Sequence, residues 1–103
     1  MRKRSDVAKE LLLALTEAHS LLVEVNEKHW TKKVSEVVES NIENRLENDS
    51  KQVLAWYGGV GSFSDLIISH INGHDVDQGK EEEINEHFGR LRSRIWQLAK
   101  KLD

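Results

Sequence analysis

The sequence predicts a mainly α fold: a small antiparallel helical bundle of three long helices plus one short helix, with a short β-hairpin between the second and last long helices. Two observations carry this expectation. Apolar residues recur at alternating spacings of three and four over long stretches near both ends of the chain, which is the period of a helix with one buried face. Between them the character changes: every glycine except Gly89 falls between Gly58 and Gly79, and Asn72-Gly73 is a strong hairpin signal. With 103 residues the chain can build one modest core, so residues 1–103 are read as a single domain.

The first helix is expected from about Ser5 to Asn26, capped by Ser5 or Asp6. Leu11, Leu15, Ala18, Leu22 and Val25 form its stripe, and Leu12, Ala14, Leu21 and Val23 widen it enough to meet more than one neighbour. The second is expected from Trp30 or Thr31 to Asn48, with Trp30, Val34, Val37, Val38, Ile42 and Leu46 on its apolar side. Asn41 and Arg45 intrude on that side and require partners. Asp49 or Ser50 then caps a short helix through Val53, Leu54, Trp56 and Tyr57, which Gly58 ends by taking a left-handed backbone conformation. Leu66-Ile67-Ile68 favour a strand, so Ser64 to Ile71 is expected to pair with His74 to Asp77. A helix capped by Ser62, with Asp65 three residues on, competes with that reading. The last helix is the clearest: Ile84, Phe88, Leu91, Ile95, Leu98 and Leu102 alternate without a break. Glu81, Glu82 and Glu83 in its first turn and Lys100 and Lys101 in its last complement the helix dipole.

Composition removes several function classes. The absence of cysteine excludes disulfide frameworks, thiol catalysis and cysteine-based zinc sites. Fifteen basic against 18 acidic side chains leave a net charge of −3, which argues against a nucleic-acid module despite Arg2, Lys3, Arg4 and the Arg90, Arg92, Arg94 cluster. No stretch approaches the ~20 apolar residues of a membrane span. The basic start followed by Leu11-Leu12-Leu13-Ala14-Leu15 imitates a secretory signal, but Asp6, Glu10 and Glu17 interrupt it and no small-x-small cleavage site follows. A cytoplasmic protein is the expectation.

The segment from Trp56 to Asp65 concentrates aromatics, glycines and a carboxylate: Trp56-Tyr57-Gly58-Gly59-Val60-Gly61-Ser62-Phe63-Ser64-Asp65. It lacks the lysine followed by serine or threonine of a phosphate loop and the glycine spacing of a dinucleotide site. As a structural corner it would have Trp56 and Phe63 as anchors and Asp65 capping amides. As a binding surface it would present Trp56 or Tyr57 to a partner. The run Trp-Tyr-Gly-Gly-x-Gly-Ser-Phe-x-Asp, followed by Leu66-Ile67-Ile68, Asn72-Gly73 and a final helix containing Leu91-Arg92, resembles a family of small uncharacterised bacterial proteins, a domain of unknown function. The resemblance covers roughly the C-terminal half. It implies bacterial origin and a shared fold, and it supplies no catalytic residues. Val60 stands where the family usually has methionine, and Ser64 where it has asparagine.

Neither metal nor catalytic chemistry is expected. His70 and His74 would flank one exposed turn rather than share a helix face, and no nucleophile elbow accompanies Ser62. Hence no cofactor, no metal and no enzyme activity are expected. The second helix instead offers Glu36, Glu39, Glu43 and Glu47, at helical spacing on one face opposite the apolar stripe. Like charges so placed destabilise a helix slightly, and they can steer a basic partner. The functional expectation is a non-catalytic, acidic, cytoplasmic protein-binding domain, in the manner of an immunity or antitoxin-like inhibitor of a basic protein. Its binding residues would be those four glutamates with Trp56, Tyr57, Gly58, Gly59, Gly61, Ser62 and Asp65. The alternative is a self-associating structural or regulatory bundle, a homodimer paired through the apolar stripe of the last helix.

Overall fold

The structure, a computed structural model, describes residues 3–40, 46–58 and 61–103, with residues 46–48 described by backbone alone. Among the described residues four α-helices form, α1 (Arg4–Glu24), α2 (Lys28–Ser40), α3 (Leu46–Ala55) and α4 (Glu81–Leu102). Three short 3-10 turns at Phe63–Asp65, His70–Asn72 and Gln78–Lys80 lie in the connection between α3 and α4. No helix among them is long and apolar enough to cross a membrane.

α1 and α4 form an antiparallel pair. As the α1 partner advances from Arg4 to Glu10 to Glu17, the α4 partner retreats from Leu102 to Arg94 to His87, with separations of 2.7, 3.6 and 3.5 Å. Both sequence stripes meet here: Leu11, Leu15, Ala18, Leu22 and Val25 face Phe88, Leu91, Ile95, Leu98 and Leu102, all buried. The α4 stripe is therefore spent on the chain's own core. Ala14 joins the core as well, whereas Val23 is 53% exposed and does not widen the buried face as the sequence pattern suggested.

The helix boundaries depart from expectation in two places. Neither Ser5 nor Asp6 caps α1; the chain enters it at Lys3 without a side-chain cap. At the other end Asn26 takes φ 60°, a left-handed position that asparagine tolerates, and the amides of Val25, Asn26 and Glu27 close onto Leu21, Val23 and Leu22. Glu27 then caps α2, its Oε2 accepting from the Trp30 amide at 2.7 Å.

The second departure is larger. The single helix expected from Trp30 to Asn48 is two elements: the Ser40 hydroxyl donates to the Asp49 carboxylate, whereas nine residues of unbroken helix would hold them about 13 Å apart. α2 and α3 are therefore distinct helices and not one continuous one. Asn41, Ile42 and Arg45 lie outside the described residues, and so does the side chain of Leu46. The short helix starts at Leu46 instead of after a cap at Asp49 or Ser50, and Gly58 follows it with φ +94°, the left-handed residue that the glycine was expected to supply.

The expected β-hairpin is absent; neither Ser64–Ile71 nor His74–Asp77 is a strand, and in place of a ladder the His74 amide donates to the Ser69 carbonyl while the Ser69 amide donates to the His74 ring. Asn72-Gly73 does reverse the chain, as a 3-10 turn closed by Gly73 at φ +86°, whose amide donates to the His70 carbonyl. Ladder bonding fails because the groups it would use are engaged elsewhere. The Ile68 amide and carbonyl both bond the Asn85 side chain, and the Asp75 amide bonds the Val25 carbonyl.

Candidate functional site

The Trp56–Asp65 corner is built around Phe63, which is fully buried. Its ring centroid lies 5.0 Å from that of Trp30, 5.5 Å from Trp56, 5.7 Å from Tyr57 and 5.4 Å from Phe88, mostly edge to face. Such contacts each contribute about 0.5–1.5 kcal/mol beyond burial. Trp56 is buried with them, so its ring is turned inward and is not displayed. The loop closes on itself: the Phe63 amide donates to the Trp56 carbonyl, the Gly58 amide to the Ser64 hydroxyl and the Gly61 amide to Asp65 Oδ2. Asp65 thus caps a backbone amide, as the structural reading of the motif expected.

Past the corner, one stripe of α4 holds the chain. Glu81, Asn85 and Arg92 fall within about 40° of one another around the helix. Arg92 Nη1 donates to the carbonyls of Phe63 and Leu66, each at 2.9 Å. Asn85 receives the Ile68 amide at 2.8 Å and donates to its carbonyl at 2.7 Å. Glu81 Oε1 accepts from the His70 amide at 2.8 Å, from the His70 ring and from the Ser69 hydroxyl. As the loop advances from Phe63 to His70, its holders retreat along α4 from Arg92 to Glu81. Side chains here do what a neighbouring strand would do in a sheet, satisfying backbone groups one after another.

The electrostatics follow from that arrangement. Burial raises the Tyr57 hydroxyl well above its ordinary pKa, with Arg92 opposing, and the hydroxyl donates to the Arg92 carbonyl at 2.6 Å. Burial pulls the Arg92 guanidinium below its usual value, against the pull of Tyr57 and Asp65. The His70 amide and then its ring hold the Glu81 carboxyl below the ordinary carboxylate range. His74 corrects an expectation: it is buried rather than exposed on a turn, and its Nδ1 accepts from the Ser69 amide at 3.0 Å. That bond requires an unprotonated Nδ1, so Nε2 carries the proton and points to Glu27 Oε1 at 3.4 Å. Sequence spacing gave no hint of the His74 contact. The α4 stripe was legible in principle, because Asn85 and Arg92 are polar residues seven apart beside an apolar face.

Held in this way, the loop turns Leu66 and Ile68 inward while leaving Ile67 and Ile71 exposed at 61% and 83%. Ile67 borders a hollow of about 250 Å³ between the start of α2 and the corner, with Trp30 and Leu66 completing its apolar lining and Glu27, Asp65 and Ser62 among its polar lining. The corner residues Gly61, Ser62 and Asp65 therefore join one concave surface. Tyr57 borders a different hollow, with Ser64, Arg92 and Trp96. Glu36 and Glu39 are exposed on α2, away from its buried residues. Gly59, Glu43 and the side chain of Glu47 lie outside the described residues. Of the four glutamates expected on one face, only Glu36 and Glu39 are therefore located, both on α2. No group of three or more metal-ligating side chains gathers among the described residues.

A family model described as a domain of unknown function (DUF6966) matches residues 23–77, more than half of the chain. The match runs from the end of α1 through the corner and the loop and stops short of α4, so it includes Trp56–Asp65 and leaves out Leu91-Arg92. No curated protein and no solved structure matches the chain.

Proposed function

We propose a protein-binding function for this chain, which belongs to the DUF6966 family of domains of unknown function. The observation that carries the reading is the clamped loop with Ile67 and Ile71 exposed on it. Ordering a loop in advance lowers the entropy lost on binding, and two exposed isoleucines, of which Ile67 borders the hollow, offer a contact that water does not satisfy. The partner meets this surface with an apolar residue in the Trp30–Leu66 hollow and with basic residues toward Glu27 and Asp65. Glu36 and Glu39 on α2 add long-range attraction for the same charge.

The finer reading is a non-catalytic cytoplasmic inhibitor of a basic protein, of the immunity or antitoxin kind. Its support is analogy of size and charge, joined to a surface that offers carboxylates around an apolar centre. The test is affinity capture from native cells at low and high salt, using the wild-type chain, Ile67→Asp/Ile71→Asp and Glu36→Lys/Glu39→Lys. One basic partner, lost with the isoleucine variant and weakened by salt and by the charge reversal, is the expected result. Equal capture by the wild type and the isoleucine variant would refute the loop as the contact. A concentration-dependent dimer abolished by Ile67→Asp would instead assign the patch to a second copy of the chain.

A further inference from the structure

A second concave surface lies where the end of α1 meets the start of α4. It consists of two adjoining hollows of about 510 and 420 Å³ that share Glu24, Val25, Lys80 and Ile84. Leu21, Val76 and Ile84 give it an apolar, half-buried floor. Glu24, Asp75, Asp77 and Glu83 stand exposed around it, and Lys80 is the one ammonium among the described lining residues.

We propose that this groove binds a basic amphipathic helix of a partner protein. The charge around the groove selects lysine and arginine, and the floor selects apolar residues on the same segment. Few exposed peptide shapes supply both at once, and a helix with one apolar face flanked by cations does. The walls suit a helix as well. Glu17, Leu21 and Glu24 on α1, continued by Val25 just past its end, and Glu83, Ile84 and His87 in the first turns of α4, preceded by Lys80, recur at spacings of three and four, which form the ridges that a third helix packs between. From Glu17 to Glu24 the α1 wall is about 10 Å long, enough for roughly two turns of an occupant. The proposal concerns a surface separate from Ile67 and Ile71, and it stands whether or not the loop binds anything.

The probe is a fluorescein-labelled leucine-lysine peptide of about four helical turns. It is compared with a scrambled peptide of the same composition that has no apolar face, and with a leucine-glutamate counterpart. Fluorescence anisotropy is measured on the wild-type chain, on Glu24→Lys/Asp77→Lys and on Ile67→Asp/Ile71→Asp, each checked for folding by circular dichroism. The amphipathic lysine peptide is expected to bind the wild type and the isoleucine variant alike, and to bind Glu24→Lys/Asp77→Lys at least about tenfold more weakly. The scrambled and acidic peptides should bind at least about tenfold more weakly to the wild type. Binding of the scrambled peptide equal to that of the amphipathic one would reduce the effect to diffuse charge and overturn the groove. So would undiminished binding to Glu24→Lys/Asp77→Lys, or loss of binding with the isoleucine variant alone.

Discussion

Tyr57 reaches α4 and Arg92 reaches back to the corner: the tyrosine hydroxyl donates to the arginine carbonyl at 2.6 Å, and the arginine guanidinium donates to the carbonyl of Phe63, whose ring packs on Tyr57. The corner and α4 are thereby joined at one point through a backbone group, two rings and a cation.

Tyr57 is the only tyrosine in the chain, so its ionisation can be followed alone. Burial raises its pKa in the folded state above the unfolded value of about 10. The stability linked to this group is therefore complete at neutral pH and is lost as pH rises above the unfolded value. Phenolate absorbance is expected to appear only together with loss of the helical circular dichroism signal. Tyr57→Phe should be about 1 kcal/mol less stable at pH 7, a fall in Tm of roughly 4–8 °C, yet lose less stability than the wild type on going to high pH. Ionisation near pH 10 in a chain that keeps its full helical signal would contradict the burial.

Arg92→Ala removes both bonds to the loop and the cation over the Phe88 ring, whose centroid lies 4.7 Å away. Two carbonyls lose their donors at once, a cost of about 2–3 kcal/mol. Arg92→Lys keeps the charge without the planar fork, so its denaturation midpoint in urea should fall between those of the wild type and Arg92→Ala.

Asn85 serves the amide and the carbonyl of one residue, Ile68, with its two different ends. Leucine at this position has the same branched outline in heavy atoms and neither function, so Asn85→Leu is expected to cost about 2 kcal/mol or more. Aspartate keeps the acceptor and loses the donor, and Asn85→Asp should be damaged at neutral pH and partly restored in acid as its carboxyl gains a proton. Equal stability of the leucine variant and the wild type would show that the loop does not depend on this contact.

Glu81 makes a pH-dependent contribution of the opposite sign from Tyr57. Its folded pKa is depressed, chiefly by the His70 amide and ring, so its stabilisation is present above the unfolded carboxyl value and disappears as pH falls through the folded one. The difference in Tm between the wild type and Glu81→Gln is expected to be largest above about pH 5 and to close toward pH 3. A gap that persists unchanged into acid would mean that the contact works through packing alone.

Periodicity made the helical scaffold legible, because α1 and α4 bury one unbroken stripe each and nothing in their sequences competes with it. It misjudged α2, whose apolar spacing runs on past Ser40 although the Ser40–Asp49 bond is incompatible with one unbroken helix. The corner was legible too: Phe63 and Trp56 anchor it, Gly58 takes the left-handed position and Asp65 caps an amide. The loop after it was not. Leu66-Ile67-Ile68 and Asn72-Gly73 carry a real local preference for a hairpin, and Arg92, Asn85 and Glu81 override it from up to 29 residues away along the chain. Local propensity describes only what a segment does without such partners. His74 was misplaced for the same reason, since its burial depends on the Ser69 amide and on Glu27, 47 residues away.

The stripe of α4 that holds residues 63–70 has an immunological consequence. The loop's own bonds close only its short turns, and its path between them rests on α4, so a synthetic peptide copied from it would sample many conformers and make a poor mimic. Grafting it onto another scaffold would fail unless Glu81, Asn85 and Arg92 travelled with it at their helical spacing. An antibody raised against the folded chain over Ile67 and Ile71 would therefore recognise a discontinuous epitope, and its signal would vanish on a denaturing blot while persisting in native capture.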